Sequence, residues 1–171
     1  MRKQLILAVL VLTGAPACAE LNALRALVQP PQFEQAPDRP AEVRLLRPSG
    51  GQPLGGAGVR LWARVSNPNP FGLTLNTLKG TLYLENARAA DAEFPLGLAL
   101  GARQDTVVPI DLSVNFSDLP GLGDVARRAI SRQPLAYRLE GTIGVDAGRL
   151  GRPVFGPMTL LSGEATVRLA D

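Results

Sequence analysis

From Glu42 onward, apolar side chains recur at every second position. Val43 and Leu45 open the pattern, which stops at Pro48. Val59, Leu61, Ala63 and Val65 alternate with Arg60, Trp62, Arg64 and Ser66, a period of two that puts one set on each face of a strand. Leu78, Gly80, Leu82 and Leu84 alternate likewise with Lys79, Thr81, Tyr83 and Glu85, and a shorter strand follows around residues 92–96. Val108, Ile110, Leu112, Val114 and Phe116 make the clearest row. Pro109 within it cannot donate to a ladder, which predicts an edge strand or a bulge. Tyr137, Leu139, Gly141, Ile143 and Val145 form the next row, and Leu161, Ala165, Val167 and Leu169 the last. Strands with one polar face each predict an all-β fold, a seven-stranded antiparallel β-sandwich of fibronectin III or immunoglobulin-like type.

One segment breaks the period. Leu122, Val125, Ala126, Ala129 and Ile130 recur at helical spacing. Ser117 or Asp118 can cap its start, Pro120 suits the first turn, Arg127 and Arg128 favour the last, and Pro134 marks the stop. This predicts one short α-helix across an end or edge of the sandwich. Trp62, on the polar side of its strand, is expected to pack against that helix or a neighbouring loop. The loop from Ser49 to Gly58 holds five glycines and reads as a flexible hairpin connection; it lacks the Lys-Ser/Thr ending of a phosphate-binding loop.

The strand beginning at Val59 runs into Asn67-Pro68-Asn69-Pro70. Each proline fixes its own φ and holds the preceding asparagine out of the helical region. The asparagine side chains can then bond back to the chain as Asx turns, with Phe71 tucked beneath and Gly72 taking an unusual φ. The motif therefore reads first as a rigid strand exit and second as a recognition loop.

Residues 1–19 have the layout of an export signal: Arg2 and Lys3, the apolar run Leu5 to Leu12, then Ala15, Ala17 and Ala19. That run is far short of the ~20 residues needed to span a bilayer. Two processing routes are open. Ala17-Cys18-Ala19 fits cleavage before Glu20, whereas Ala15-Pro16-Ala17-Cys18 resembles a lipobox that would make Cys18 the lipidated N-terminus and a membrane anchor. The expected organisation is a signal at 1–19, a Pro-rich tether at 20–40 and a sandwich domain at 41–171. The chain is expected to be exported, and periplasmic or membrane-anchored on the extracytoplasmic side.

Composition narrows the chemistry. The chain has 171 residues, 46% of them apolar, too many for a disordered hydrophilic protectant. With one cysteine no intramolecular disulfide is possible, so the fold rests on its core. The net charge is +3; without Arg2 and Lys3 it is 16 basic residues against 15 acidic. The arginines are scattered and aromatics make up only 5%, which excludes a basic stripe or stacking platform for nucleic acid. There is no histidine, and carboxylate pairs such as Asp91 with Glu93 fall where turns and caps use them. The sequence offers no catalytic residue, no metal-ligand spacing and no cofactor site, and the expectation is a monomeric non-enzyme.

Val59 to Asn86 (VRLWARVSNPNPFGLTLNTLKGTLYLEN), with its Asn67-Pro68-Asn69 motif, resembles the water-stress and hypersensitive-response domain of type 2 late embryogenesis abundant proteins. The similarity continues through VVPIDLSVNFSDL, the helix and LAYRLEGTIGVD. It implies a seven-stranded sandwich with one helix. Bacterial members are commonly exported or lipidated and are associated with desiccation, cold and oxidative stress. The implied function is non-enzymatic protection in the cell envelope, by passive shielding of partly unfolded client proteins. Two other readings are an envelope structural or adhesion-like module and an apolar ligand- or lipid-binding sandwich, the latter needing a cavity between the sheets.

Overall fold

The computed structural model describes residues 27–50, 53–116 and 122–169. Among them are eight strands: β1 Gln32–Gln35, β2 Ala41–Leu46, β3 Gly56–Ser66, β4 Leu73–Leu84, β5 Ala87–Leu100, β6 Asp105–Asn115, β7 Leu135–Asp146 and β8 Val154–Leu169. One α-helix, α1 (Leu122–Ile130), lies between β6 and β7, and a 3-10 turn spans Gly148–Leu150. The fold is all-β with one short helix, as the alternation predicts. The helix's expected caps at Ser117, Asp118 and Pro120 lie outside the described residues, as do the leader and Cys18.

The strand expected around 92–96 runs from Ala87 to Leu100, and β3 begins at Gly56, inside the expected loop. Two further details differ from the sequence reading. The strands number eight because β1 sits in the stretch expected to be tether. Its four residues, QFEQ, offer one apolar side chain, Phe33, too little for a periodic signal. Yet β1 pairs with β3 from Gln32↔Ser66 to Gln35↔Ala63, and Val28 and Ala36 on either side are buried. The packed domain therefore reaches back to residue 28.

The second difference concerns the sheets. Hydrogen bonds join all eight strands into one sheet in the order β1-β3-β2-β8-β7-β4-β5, with β6 also on β3. β6 covers β3 along its whole length, so β1 and β2 share the opposite edge. The sheet folds over at β2 and β8, which pair in parallel from Ala41↔Ala165 to Leu45↔Leu169. Two layers result, β6-β3-β1/β2 and β8-β7-β4-β5, with the inward rows pressed between them.

Leu61, Leu75, Leu82, Leu135, Leu139 and Ile143 are completely inaccessible in that core. Each such burial stabilises by roughly 1.5–3 kcal/mol over exposure. The helix adds Val125 and Ala129 from its inner face. Trp62 lies on the outer face of β3, away from the helix; it sits opposite Pro109 of β6, and Arg39 from the β1–β2 turn lies 4.4 Å above its ring. Covering by a neighbouring loop is thus realised, through a cation–π contact. Pro109 sits in an edge strand, as its missing N–H predicts.

Strand directions define two poles. The β3–β4, β5–β6 and β7–β8 turns and the chain's entry near Gln29 gather at one. The β2–β3 loop, the β4–β5 turn and α1 occupy the other.

Gly141 on β7 faces inward where β4 comes closest. A Cβ there would stand 2.2 Å from the Lys79 carbonyl oxygen, a backbone atom that cannot step aside. Gly58 on β3, by contrast, has open space: a Cβ added to it would meet nothing within 4 Å. In denaturant melts, Gly141→Ala should lower stability by roughly 1–3 kcal/mol, as overpacking does, and Gly58→Ala should change it little.

Candidate functional site

Asn67 and Asn69 are the two buried polar side chains among the described residues, 1% and 0% exposed. Such groups survive burial only when their hydrogen bonds are met, and here each is. The Asn67 Oδ1 accepts from the Asn69 backbone N–H at 3.0 Å and from Asn69 Nδ2 at 2.9 Å. The Asn67 Nδ2 donates to the carbonyls of Phe71 (2.8 Å) and Gly101 (2.9 Å). Asn69 and Gln29 bond reciprocally: the Gln29 N–H donates to Asn69 Oδ1 at 2.8 Å and Asn69 Nδ2 donates to the Gln29 carbonyl at 2.9 Å.

The main chain completes the clasp. The Asn67 N–H donates to the Gln104 carbonyl at 2.8 Å, and the Arg103 N–H to the Asn69 carbonyl at 3.1 Å. Pro68 fixes the φ between the two amides and exposes no donor of its own. Asn67 Oδ1 to the Asn69 N–H is the expected Asx turn. Gly72 departs from expectation: its φ is not positive, and its missing side chain instead lets the Leu100 carbonyl approach to 3.4 Å of the Cβ position. Four segments are tied at one point: the entering chain, the β3–β4 turn, the end of β5 and the start of β6. Gln29, Gly101 and Gln104 carry no motif, and their role depends on contacts 34 to 40 residues distant in sequence.

With both amides consumed internally, the motif is a structural joint whose polar atoms are closed to a ligand. What it positions is more open. The Gly101–Gln104 turn joins β5 to β6, which then diverge into opposite layers without pairing. Between them runs a seam where the inward residues Phe94, Leu96, Leu98 and Val108 are only partly buried, while inward residues on β3, β4 and β7 are sealed. The void beneath is about 30 Å³ and is lined by apolar residues. That is the volume of about one water molecule, so the space between the layers is filled in this state.

Charged side chains flank the seam in compensated pairs. On β6, Asp111 takes Arg60 through two bonds of 2.6 and 3.0 Å, and Asp105 meets Arg64 at 3.6 Å. On β5, Glu93 meets Lys79 at 2.8 Å and Asp91 meets Arg88 at 2.5 Å. Arg88 and the Thr81 hydroxyl hold the Asp91 carboxyl below its ordinary range. No group of three or more acidic or cysteine side chains that could hold a metal occurs among the described residues.

The profile of the late embryogenesis abundant protein family matches residues 63–158, more than half of the chain and a span that includes Asn67, Asn69 and the seam. The chain belongs to that family. Two solved structures share the fold of this late embryogenesis abundant protein. One, a protein of Arabidopsis thaliana determined in solution, is 16% identical over 83% of this chain and 85% of that one, with a TM-score of 0.59. The other, a solution structure named as a late embryogenesis abundant protein, is 16% identical over 88% of this chain and 79% of that one, with a TM-score of 0.50. No individually curated protein matches the sequence. Membership supports a stress-related role at the level of the family.

Substitutions at the clasp should differ in kind. Asn67→Ala strands two donors and two carbonyls and should cost about 3 kcal/mol or more in denaturant unfolding. Asn69→Ala should cost less, about 2 kcal/mol, because Gln29 can turn to water. Asn67→Asp places a carboxylate oxygen against the Phe71 and Gly101 carbonyls. Its folded-state pKa is therefore raised, so the variant should be weakest at neutral pH and recover as pH falls through that value.

Proposed function

We propose that this protein is a non-enzymatic stress-protection protein of the cell envelope, which passively shields partly unfolded client proteins. The observation that carries the reading is the seam: a row of half-exposed apolar side chains between two unpaired edges, beside inward rows on β3, β4 and β7 that are closed. Exposed apolar surface on a client gains by meeting that row, and a domain outside the cytoplasm has no evident nucleotide supply to drive anything beyond holding. The family is generally non-enzymatic, and no described residue cluster calls for a reaction.

The edges also explain why such holding would be weak and reversible. Pro95 on β5 and Pro109 on β6 lack N–H donors, and Gly97 breaks the β5 backbone with a φ of 55°. A client strand therefore cannot zip along either edge, which keeps the seam from templating aggregation. Export through residues 1–19 and attachment at Cys18 would place the domain beside envelope clients.

A heat- or drying-sensitive test enzyme gives the assay. The protein should preserve its activity better than an equal mass of albumin. Leu96→Glu combined with Val108→Glu, both at partly exposed positions, should abolish that advantage while leaving the circular dichroism spectrum unchanged. Parity of the unaltered protein with albumin, or full protection by the folded double variant, would remove the proposal.

A further inference from the structure

We infer that the seam between β5 and β6 receives its partner as an amphipathic α-helix with basic flanks, an assignment that rests on the seam being the holding surface proposed above. The backbone decides between the two regular forms that an unfolding chain can present. An extended segment laid along an apolar row must pair its N–H and C=O groups with an edge or leave them desolvated, which costs about 1–3 kcal/mol for each unpaired group. Neither edge here offers a continuous ladder. Pro109 interrupts the donors of β6, and Pro95 those of β5. Gly97 leaves the extended region at a φ of 55°. The register shifts at the same point, because Leu75 pairs with Leu98 and Thr77 with Pro95. A helix has no such need. Its backbone groups are bonded within the segment, and only its side chains meet the groove.

The apolar row has a spacing that a helix can match. Phe94, Leu96 and Leu98 stand two residues apart on the inner side of β5, about 6.6 Å per step and about 13 Å in all. Side chains at i, i+4 and i+8 of an α-helix rise by about 6 Å per step and about 12 Å in all. Val108 of β6 forms the facing wall. Alternate residues of a strand would match the same steps, so the edges, not the spacing, exclude a strand. Charge then sets the flanks. Asp91 and Glu93 on β5 and Asp105 and Asp111 on β6 are exposed carboxylates on the two strands that border the seam. Lys79, Arg60 and Arg64, which pair with Glu93, Asp111 and Asp105, stand one strand further out on β4 and β3. Those three pairs therefore turn their negative ends toward the seam. The one cation within β5 and β6 is Arg88. Lysine or arginine on either side of an apolar helical stripe complements such a rim.

Fluorescent peptides of about 18 residues, long enough to form a helix on binding, test this against the full chain. One places leucine at helical period among lysines. A second puts the same residues in strict alternation, and a third keeps the helical pattern with glutamate for lysine. Each is titrated where it is monomeric. The helical lysine peptide should bind about tenfold or more tighter than the alternating one, and gain helical ellipticity as it binds. It should also bind about threefold or more tighter than the glutamate peptide, a gap that added salt closes. Leu96→Glu with Val108→Glu should remove its binding. Glu93→Gln with Asp111→Asn should narrow the lysine–glutamate gap while the protein's circular dichroism spectrum stays the same. Failure of the helical lysine peptide to bind, equal or tighter binding of the alternating peptide, preference for glutamate, or binding that survives Leu96→Glu with Val108→Glu would each overturn the inference. The client assay separates the two readings. Protection of the test enzyme alongside any of those results leaves the holding role standing and removes only the helix, whereas helix binding without protection removes the holding role.

Discussion

Two buried amide side chains hold this sandwich together at one end. Asn67 and Asn69 are desolvated completely, and an amide in that state is tolerated only while every donor and acceptor is paired. The constraint is strict because the partners come from four parts of the chain. If one segment withdrew, the others would be left with unpaired polar groups in a closed site. The arrangement is therefore close to all-or-none, and it fixes both where the chain enters and where β5 hands over to β6.

That handover shapes the rest of the molecule. Parallel pairing of β2 with the last residues of β8 joins the layers on one side, while on the other side β5 and β6 leave the clasp together and then part. In the seam between them, inward apolar side chains meet solvent as a row. Proline in both edges, a backbone break at Gly97 and compensated charge pairs on the flanks keep that surface from recruiting strands. The proposed holding role needs this combination, because a surface able to pair with an unfolded chain can also nucleate its aggregation.

Much of this was legible in the sequence, for reasons that also explain what was not. β3, β6 and β7 announce themselves because each buries one face only, and the period of two follows directly. The helix is visible for the same reason at its own period. β1 is invisible because its place depends on pairing with β3 rather than on its own side chains. β8 blurs because Leu160 and Leu161 are both buried where its pairing with β7 shifts register. The Asn-Pro repeat reads first as a rigid exit, yet its long-range partners, Gln29 and Gly101, are ordinary residues in ordinary contexts. The seam could not be foreseen at all, since it arises from which strands fail to pair.

Native-state hydrogen exchange of the unaltered protein tests the central claim most directly. The backbone amides of Gln29, Asn69 and Arg103 lie in turns and in the chain's entry, where exchange is ordinarily fast. If the clasp is a cooperative joint, all three exchange only with global unfolding, at the same free energy as Leu61 and Ile143 in the core. Exchange of Gln29 or Arg103 on the timescale of an open loop, with the core still protected, would contradict the account.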